Sequence, residues 1–218
     1  MPISTILFDL DGTLINSIDH IVDCWQHTVR TGLGREISRE EVLPTIGRSL
    51  QACFEEMAPG RSDELYGIYT TYERDRHDAN VQLIMGTREV LDTLLAEGYK
   101  LGVVTSKVLH VAMSGLELFQ LDPYFEVIIT QADTERHKPY PDPLLVACER
   151  LGVPPADAVY IGDAWTDIEA GRAAGMLTVG VTWGAAGEAI REAEPDYILA
   201  TMTELPGLLK LMSLADTG

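Results

Sequence analysis

Ile6-Leu7-Phe8-Asp9-Leu10-Asp11-Gly12-Thr13-Leu14 is the stretch from which the rest of this 218-residue chain reads. An apolar run of strand character, about Ile3 to Phe8, ends in two carboxylates one residue apart, and a glycine follows at once. Side chains alternate faces along a strand, so Asp9 and Asp11 are expected to leave its end towards one side. Gly12 allows the chain to turn beside them. Two carboxylates at one strand end repel each other. A hard divalent cation between them, or two protonation states used in chemistry, would justify keeping both. The plain alternative is a solvated Asp-Gly turn.

After this strand the sequence is helical for some sixty residues. Ile18, Ile21, Val22, Trp25 and Val29 form an i, i+3, i+4, i+7 stripe that Asn16 or Ser17 is placed to cap, ending near Gly32 and Gly34. Ser38 to Leu43 opens with a Ser-x-x-Glu capping box. A turn over Pro44 to Arg48, a helix over Leu50 to Met57, a break at Pro59-Gly60 and an amphipathic helix over Ser62 to Asp78 follow. Nothing from Asn16 to Asn80 reads as a strand.

The pattern then changes. Strands over Lys100–Thr105, Phe125–Thr130, Ala158–Ile161, Leu177–Val181 and Tyr197–Leu199 alternate with helices over Thr87–Glu97, His110–Phe119, Asp142–Leu151, Asp167–Ala174 and Leu205–Met212. Such alternation with short connections implies a parallel sheet covered by helices on both faces. The strands read as nearly continuous apolar runs, as two-sided burial requires. The fold class expected is therefore α/β, a Rossmann-like, doubly wound parallel sheet. Residues 1–15 and 83–218 make its core, and residues 16–82, too long for a connection, make an inserted all-helical cap domain.

Ligands of an open parallel sheet bind beyond the carboxyl ends of its strands. Asp9 and Asp11 follow the first strand, Thr105-Ser106-Lys107 the second, Lys138 lies beyond the third, and Gly162-Asp163 with Asp167 follow the fourth. Oxygen ligands suit a hard cation, while hydroxyls, amides and a lysine suit phosphate oxygens. Together these strand ends describe a site for a metal-bound phosphate. Asp167 has a second reading, as an acid at the N-terminus of its helix. Lys107 reads as a solvated lysine, and His20, His27, His77, His110 and His137 as structural or surface residues.

Composition narrows the partners. The 34 acids against 16 bases give a formal charge of −18, which disfavours nucleic acid and anionic lipid. No apolar run approaches the ~18 residues of a membrane span, and no signal-peptide pattern opens the sequence. Cys24, Cys53 and Cys148 are unclustered and read as buried thiols of a reducing compartment. The expectations are a cytoplasmic location, a small phosphorylated metabolite as partner, and a monomer or homodimer.

Asp9-Leu10-Asp11-Gly12-Thr13-Leu14, Thr105-Ser106, Lys138-Pro139-x-Pro141-Asp142-Pro143 and Gly162-Asp163-x-x-x-Asp167 resemble the four ordered motifs of the haloacid dehalogenase-like hydrolase superfamily. The helical insert resembles its type 1 cap. Gly171-x-x-Ala174-Gly175-Met176 and Val181-Thr182-Trp183-Gly184 further resemble its phosphoglycolate phosphatase-like branch. Ala164 departs from the hydroxyl residue common in relatives, and Ser106 from the common asparagine. The resemblance implies that Asp9 attacks phosphorus and that Asp11 protonates the leaving group. It implies that Mg²⁺ is held by Asp9, the Asp11 carbonyl and Asp163, with Asp167 close by. Thr105 and the Ser106 amide would grip phosphoryl oxygens, and Lys138 would neutralise charge. Arg48, in the cap loop Thr45-Ile46-Gly47-Arg48, is a candidate for binding a second anionic group or else a surface arginine. The expected activity is a Mg²⁺-dependent phosphatase of small monoesters, phosphoglycolate leading. Pyrophosphate hydrolysis, or a phosphomutase of the β-phosphoglucomutase kind, is the alternative. A phospho-receiver domain fits the order of the acidic clusters poorly.

Overall fold

The computed structural model describes residues 3–215. β1 (Thr5–Phe8) leads through β2 (Ile15–Asn16) into the helical insert, made of α1 (Ile18–Leu33), α2 (Arg39–Val42), α3 (Leu50–Met57), α4 (Ser62–Arg74) and α5 (His77–Asn80). The chain returns through β3 (Gln82–Leu83) and runs on as α6 (Thr87–Ala96), β4 (Lys100–Val104), α7 (Leu109–Leu118) and β5 (Val127–Ile129). It continues with α8 (Asp142–Leu151), β6 (Ala158–Gly162), α9 (Trp165–Ala174), β7 (Leu177–Val181), β8 (Tyr197–Leu199) and α10 (Leu205–Ala215).

Six strands pair in parallel in the order β5-β4-β1-β6-β7-β8. β1 is central, with Phe8 in register with Val103 on one side and Ile161 on the other. The alternation of a strand explains the two layers. Ile6 and Phe8 face one core with Val90, Leu94 and Leu116 of α6 and α7 and Leu209 of α10. Leu7 and Tyr160 face the other, with Leu144 of α8 and Ala170 of α9. The chain works outward from β1 to β5 and then jumps back to β6, so the crevice lies beyond the end of β1. This is the doubly wound, Rossmann-like core with a helical insert that the pattern implies.

The insert carries a separate apolar core built from Ile18, Val22, Trp25, Phe54, Leu65 and Tyr69. Trp25 lies 4.5 Å from Phe54 between ring centroids, and Tyr69 meets both rings edge-on at 6.3 and 6.0 Å. The Ser38–Glu41 capping box opens α2 as expected.

Three expectations are corrected. Asn16 is not helical: β2 and β3 pair antiparallel, Ile15 with Leu83 and Asn16 with Gln82, where the chain enters and leaves the insert. Two-residue strands carry no periodicity to read. Ser17 stands at the N-cap of α1 but makes no capping hydrogen bond; its hydroxyl goes to Asp11. α9 begins at Trp165, because Asp167 is its third residue and its carboxylate accepts the Ala164 N–H.

Phe54 is fully buried at the centre of the aromatic trio. Phe54→Ala is expected to cost about 3–5 kcal/mol, read as a lower urea midpoint.

Candidate active site

Alternation carries past the end of β1. Asp9 continues the ladder, its N–H donating to the Ile161 carbonyl at 2.9 Å, so its carboxylate emerges on the face shared with Tyr160. There it meets Lys138, which the loop before α8 brings back across the sheet end. The Lys138 ammonium donates to Asp9 Oδ1 at 2.7 Å, Asp167 Oδ1 at 2.6 Å and the Tyr160 hydroxyl at 3.0 Å. Its three protons thus all have oxygen partners. The Tyr160 hydroxyl in turn donates to the Val104 carbonyl at 2.9 Å. Tyr160 was not singled out from sequence; inside an apolar strand it reads as packing, and only its neighbours reveal its polar end.

Asp163 closes the group from the far side. Its Oδ2 accepts the Ala185 N–H at 2.5 Å. Gly12 and Gly184 press against it, and a Cβ on either would come within 2.2 or 2.3 Å of Asp163 Oδ2. Gly12 also has φ +79°, so both its backbone conformation and its closeness to the carboxylate exclude larger residues. Carboxylate oxygens of Asp9, Asp163 and Asp167 lie within 4.8 Å of one another, all buried.

One lysine touches two of these three buried carboxylates, and the imbalance shows in the protonation of Asp9 and Asp163. Burial pushes the Asp9 carboxyl up to about 7, with Asp167 and Asp11 adding to the rise against the pull of Lys138. Burial, then Asp9 and Asp167, hold Asp163 well above the usual carboxylate range. Burial alone would lower Lys138, but Asp167 and Asp9 raise it well above its ordinary value. A cluster with surplus negative charge and hard oxygen donors fits a divalent cation such as Mg²⁺.

Asp11 lines the same cleft as Asp9 but keeps different company. Its Oδ1 accepts from the Ser17 hydroxyl at 2.5 Å and lies 2.9 Å from Lys107 Nζ. Lys107 is therefore not the solvated lysine expected from sequence. It is almost buried and also stands 3.7 Å from Glu73 Oε1 of α4. Burial works against its charge, but Asp11 and Glu73 raise its pKa. Glu73, whose pKa burial raises, is a second residue missed from sequence, because an acid on an amphipathic helix reads as a solvated face. His20 and His77 are buried, in keeping with a structural role.

The insert lies directly over these groups. Gly47 packs against Thr166 and Ala164, and its carbonyl accepts the Ser106 hydroxyl at 2.8 Å. Gln131 Nε2 donates to Gln51 Oε1 at 3.2 Å. Between core and insert is a cleft. Asp9, Asp11, Thr105, Ser106 and Lys107 line its floor, with Thr45, Gly47, Arg48, Trp25, Tyr69 and Glu73 above. Arg48 faces the cleft while donating to Glu56 at 2.5 Å. The Thr105 hydroxyl accepts the Lys107 N–H at 3.2 Å. Trp165 is partly exposed, and Trp183 donates to the Thr13 carbonyl at 3.2 Å.

The arrangement offers a carboxylate beside a lysine, a buried acidic cluster that fits a cation, and a second carboxylate facing the cleft. These are the parts of a hydrolase of phosphoryl compounds. Comparison with known proteins names the class: the family described as haloacid dehalogenase-like hydrolase matches residues 6–181. The chain belongs to the haloacid dehalogenase-like hydrolase family. It is 41% identical over 204 residues to pyrophosphatase PpaX of Bacillus pumilus (strain SAFR-032), covering 93% of this chain and 94% of that protein. A solved structure described as a predicted phosphatase from Clostridium acetobutylicum superposes with a TM-score of 0.86 at 25% identity, over 96% and 100% of the two chains. Another, described as a predicted phosphoglycolate phosphatase from Haemophilus somnus, gives 0.80 at 25% identity, over 94% and 97%.

His20 supplies a pH test of the insert's seating. Burial, with help from Lys107 and His77, lowers its pKa from 6.5 to about 4. The folded state thus binds the proton more weakly than the unfolded chain. The stability this contributes is present above pH 6.5 and lost as the pH falls through about 4. His20→Gln is expected to flatten that acid loss, by up to about 3 kcal/mol, in urea midpoints followed across this range.

Proposed function

We propose that this chain is a Mg²⁺-dependent phosphatase working through an aspartyl-phosphate on Asp9, with inorganic pyrophosphate as its leading substrate. The observation that carries the reading is the placement of Asp9 at the end of the central strand, in contact with Lys138 and beside Asp163 and Asp167. Asp9, Asp163 and Asp167, with the Asp11 carbonyl, are the groups that would hold Mg²⁺, which would offset charge on the nucleophile and the phosphoryl group. Asp9 attacks phosphorus as the leaving group departs. Asp11 gives that group its proton, then takes one from the water that hydrolyses the intermediate. Lys138 balances charge on Asp9 and on the phosphoryl oxygens, and Thr105 with the Ser106 amide holds those oxygens. The helical insert covers the cleft and keeps bulk water from the first step.

Pyrophosphate stands ahead of phosphoglycolate because of the pyrophosphatase relatives. Phosphoglycolate is the second reading, favoured by the Haemophilus somnus structure and by Arg48 in the cleft wall, released from Glu56, as a partner for a carboxylate. In either case the partner is a small soluble phosphate compound, and among the described residues no helix is long and apolar enough to cross a membrane.

The test is turnover of pyrophosphate, phosphoglycolate, β-glucose 1-phosphate and a chromogenic ester by purified protein with Mg²⁺. Pyrophosphate is expected to give the highest kcat/KM, and Asp9→Asn to lose at least about a thousandfold on every substrate. A wild-type rate in Asp9→Asn would remove the nucleophile assignment; activity indifferent to EDTA would remove the metal; faster phosphoglycolate turnover would reverse the substrate order.

A further inference from the structure

Of the charged groups lining the cleft, Lys107 and Glu73 have no place in the chemistry above, and the insert brings Glu73. It sits near the end of α4 in the insert, 5% exposed, packed in a region that includes Tyr69 and Cys24. A carboxylate buried to this degree is costly unless a cation answers it. Among the described residues the ammonium that reaches it is Lys107 Nζ, at 3.7 Å. Lys107 does not belong to the insert: it follows β4 in the core, its side chain is 14% exposed, and the same Nζ lies 2.9 Å from Asp11 Oδ1. One core ammonium therefore stands between the proton-transfer carboxylate of the core and a carboxylate brought by the insert.

We propose that Glu73 is a positioning residue for proton transfer, acting on Asp11 through Lys107. The proposal rests on the reading of Asp11 as the proton donor. Lysine is a compact charge on a flexible stem, so its direction depends on what surrounds it. With Asp11 alone, Nζ is free to swing around one carboxylate and out into the cleft. With Glu73 opposite, Nζ lies between two fixed carboxylates and holds Asp11 Oδ1 from one side, while the Ser17 hydroxyl holds it from another. Glu73 makes this contact only when the insert is seated on the core, where Gly47 meets Ser106. Closure of the cleft and orientation of the proton donor become one event, and a substrate that does not allow closure meets a poorly aimed Asp11.

This role makes a demand that a sealing contact does not. A proton donor matters greatly for an alkyl phosphate, whose alkoxide leaves badly, and little for 4-nitrophenyl phosphate. In Glu73→Gln, with Mg²⁺ present, the ratio of kcat/KM for ethyl phosphate to that for 4-nitrophenyl phosphate is expected to fall at least about tenfold. Lys107→Met is expected to do the same, and Glu73→Asp, which keeps the charge with a shorter reach, to restore part of the ratio. Equal losses on both esters in Glu73→Gln would mean that the residue only seals the cleft, and would overturn the proposal. Should Glu73→Gln not fold, Glu73→Asp and Lys107→Met carry the same comparison, and an unchanged ratio in both overturns it as well. Asp11→Asn separates this from the reading beneath it. If Asp11→Asn lowers the ratio and the Glu73 variants do not, the proposal alone fails. If Asp11→Asn slows both esters equally, Asp11 is not the proton donor and the proposal falls with that assignment.

Discussion

A single buried ammonium governs this protein. Lys138 lies against Asp9 and Asp167 at 2.7 and 2.6 Å with the Tyr160 hydroxyl as its third partner. Bringing three acids together away from water would be prohibitive without it, because attraction and repulsion both grow as the local dielectric falls. The lysine is not enough: Asp9 and Asp163 remain pushed towards their protonated forms. The core therefore folds around a charge deficit of the kind a divalent cation fills. Gly12 and Gly184 leave just the room that the Asp163 carboxylate needs.

The second organising fact is that the insert is a small folded unit and not a loop. The aromatic trio of Trp25, Phe54 and Tyr69 gives it its own core, so it can meet the sheet as a body. Polar contacts between it and the core include the Gly47 carbonyl on Ser106, Gln51 on Gln131, Asp78 on Ser114 and Glu73 on Lys107. Contacts of this kind form and break at modest free-energy cost, which suits a cover that must admit substrate and release phosphate. The two-residue ribbon of Ile15–Asn16 and Gln82–Leu83 ties both crossings together, so the insert is held at one place.

Lys138, Lys107 and Arg48 are all already engaged by carboxylates. Lys138 is shared by Asp9 and Asp167, Lys107 by Asp11 and Glu73, and Arg48 is paired with Glu56. In a chain of net charge −18, an anionic substrate must win these cations from carboxylates already holding them. The Arg48–Glu56 pair is the more exposed of these, and surface pairs are weak, so Arg48 is the cation most easily released to a ligand.

The sequence alone determined the class of fold and pointed to the strand ends of the candidate site. Periodicity is a local property, so alternating strands and helices, the helical insert and the strand-end residues Asp9, Asp11, Thr105, Lys138, Asp163 and Asp167 are all legible in one dimension. The tertiary structure decided which of these residues touch. Lys138 reaches Asp9 across 129 positions of chain, and no local pattern records that distance. Tyr160 inside an apolar strand and Glu73 on an amphipathic helix carry no local signal of a polar role, and Lys107 reads as solvated for the same reason. Their roles come from side chains that other elements bring against them. Burial, and with it the strength of every charge in the site, is set by the assembled layers and not by any one segment.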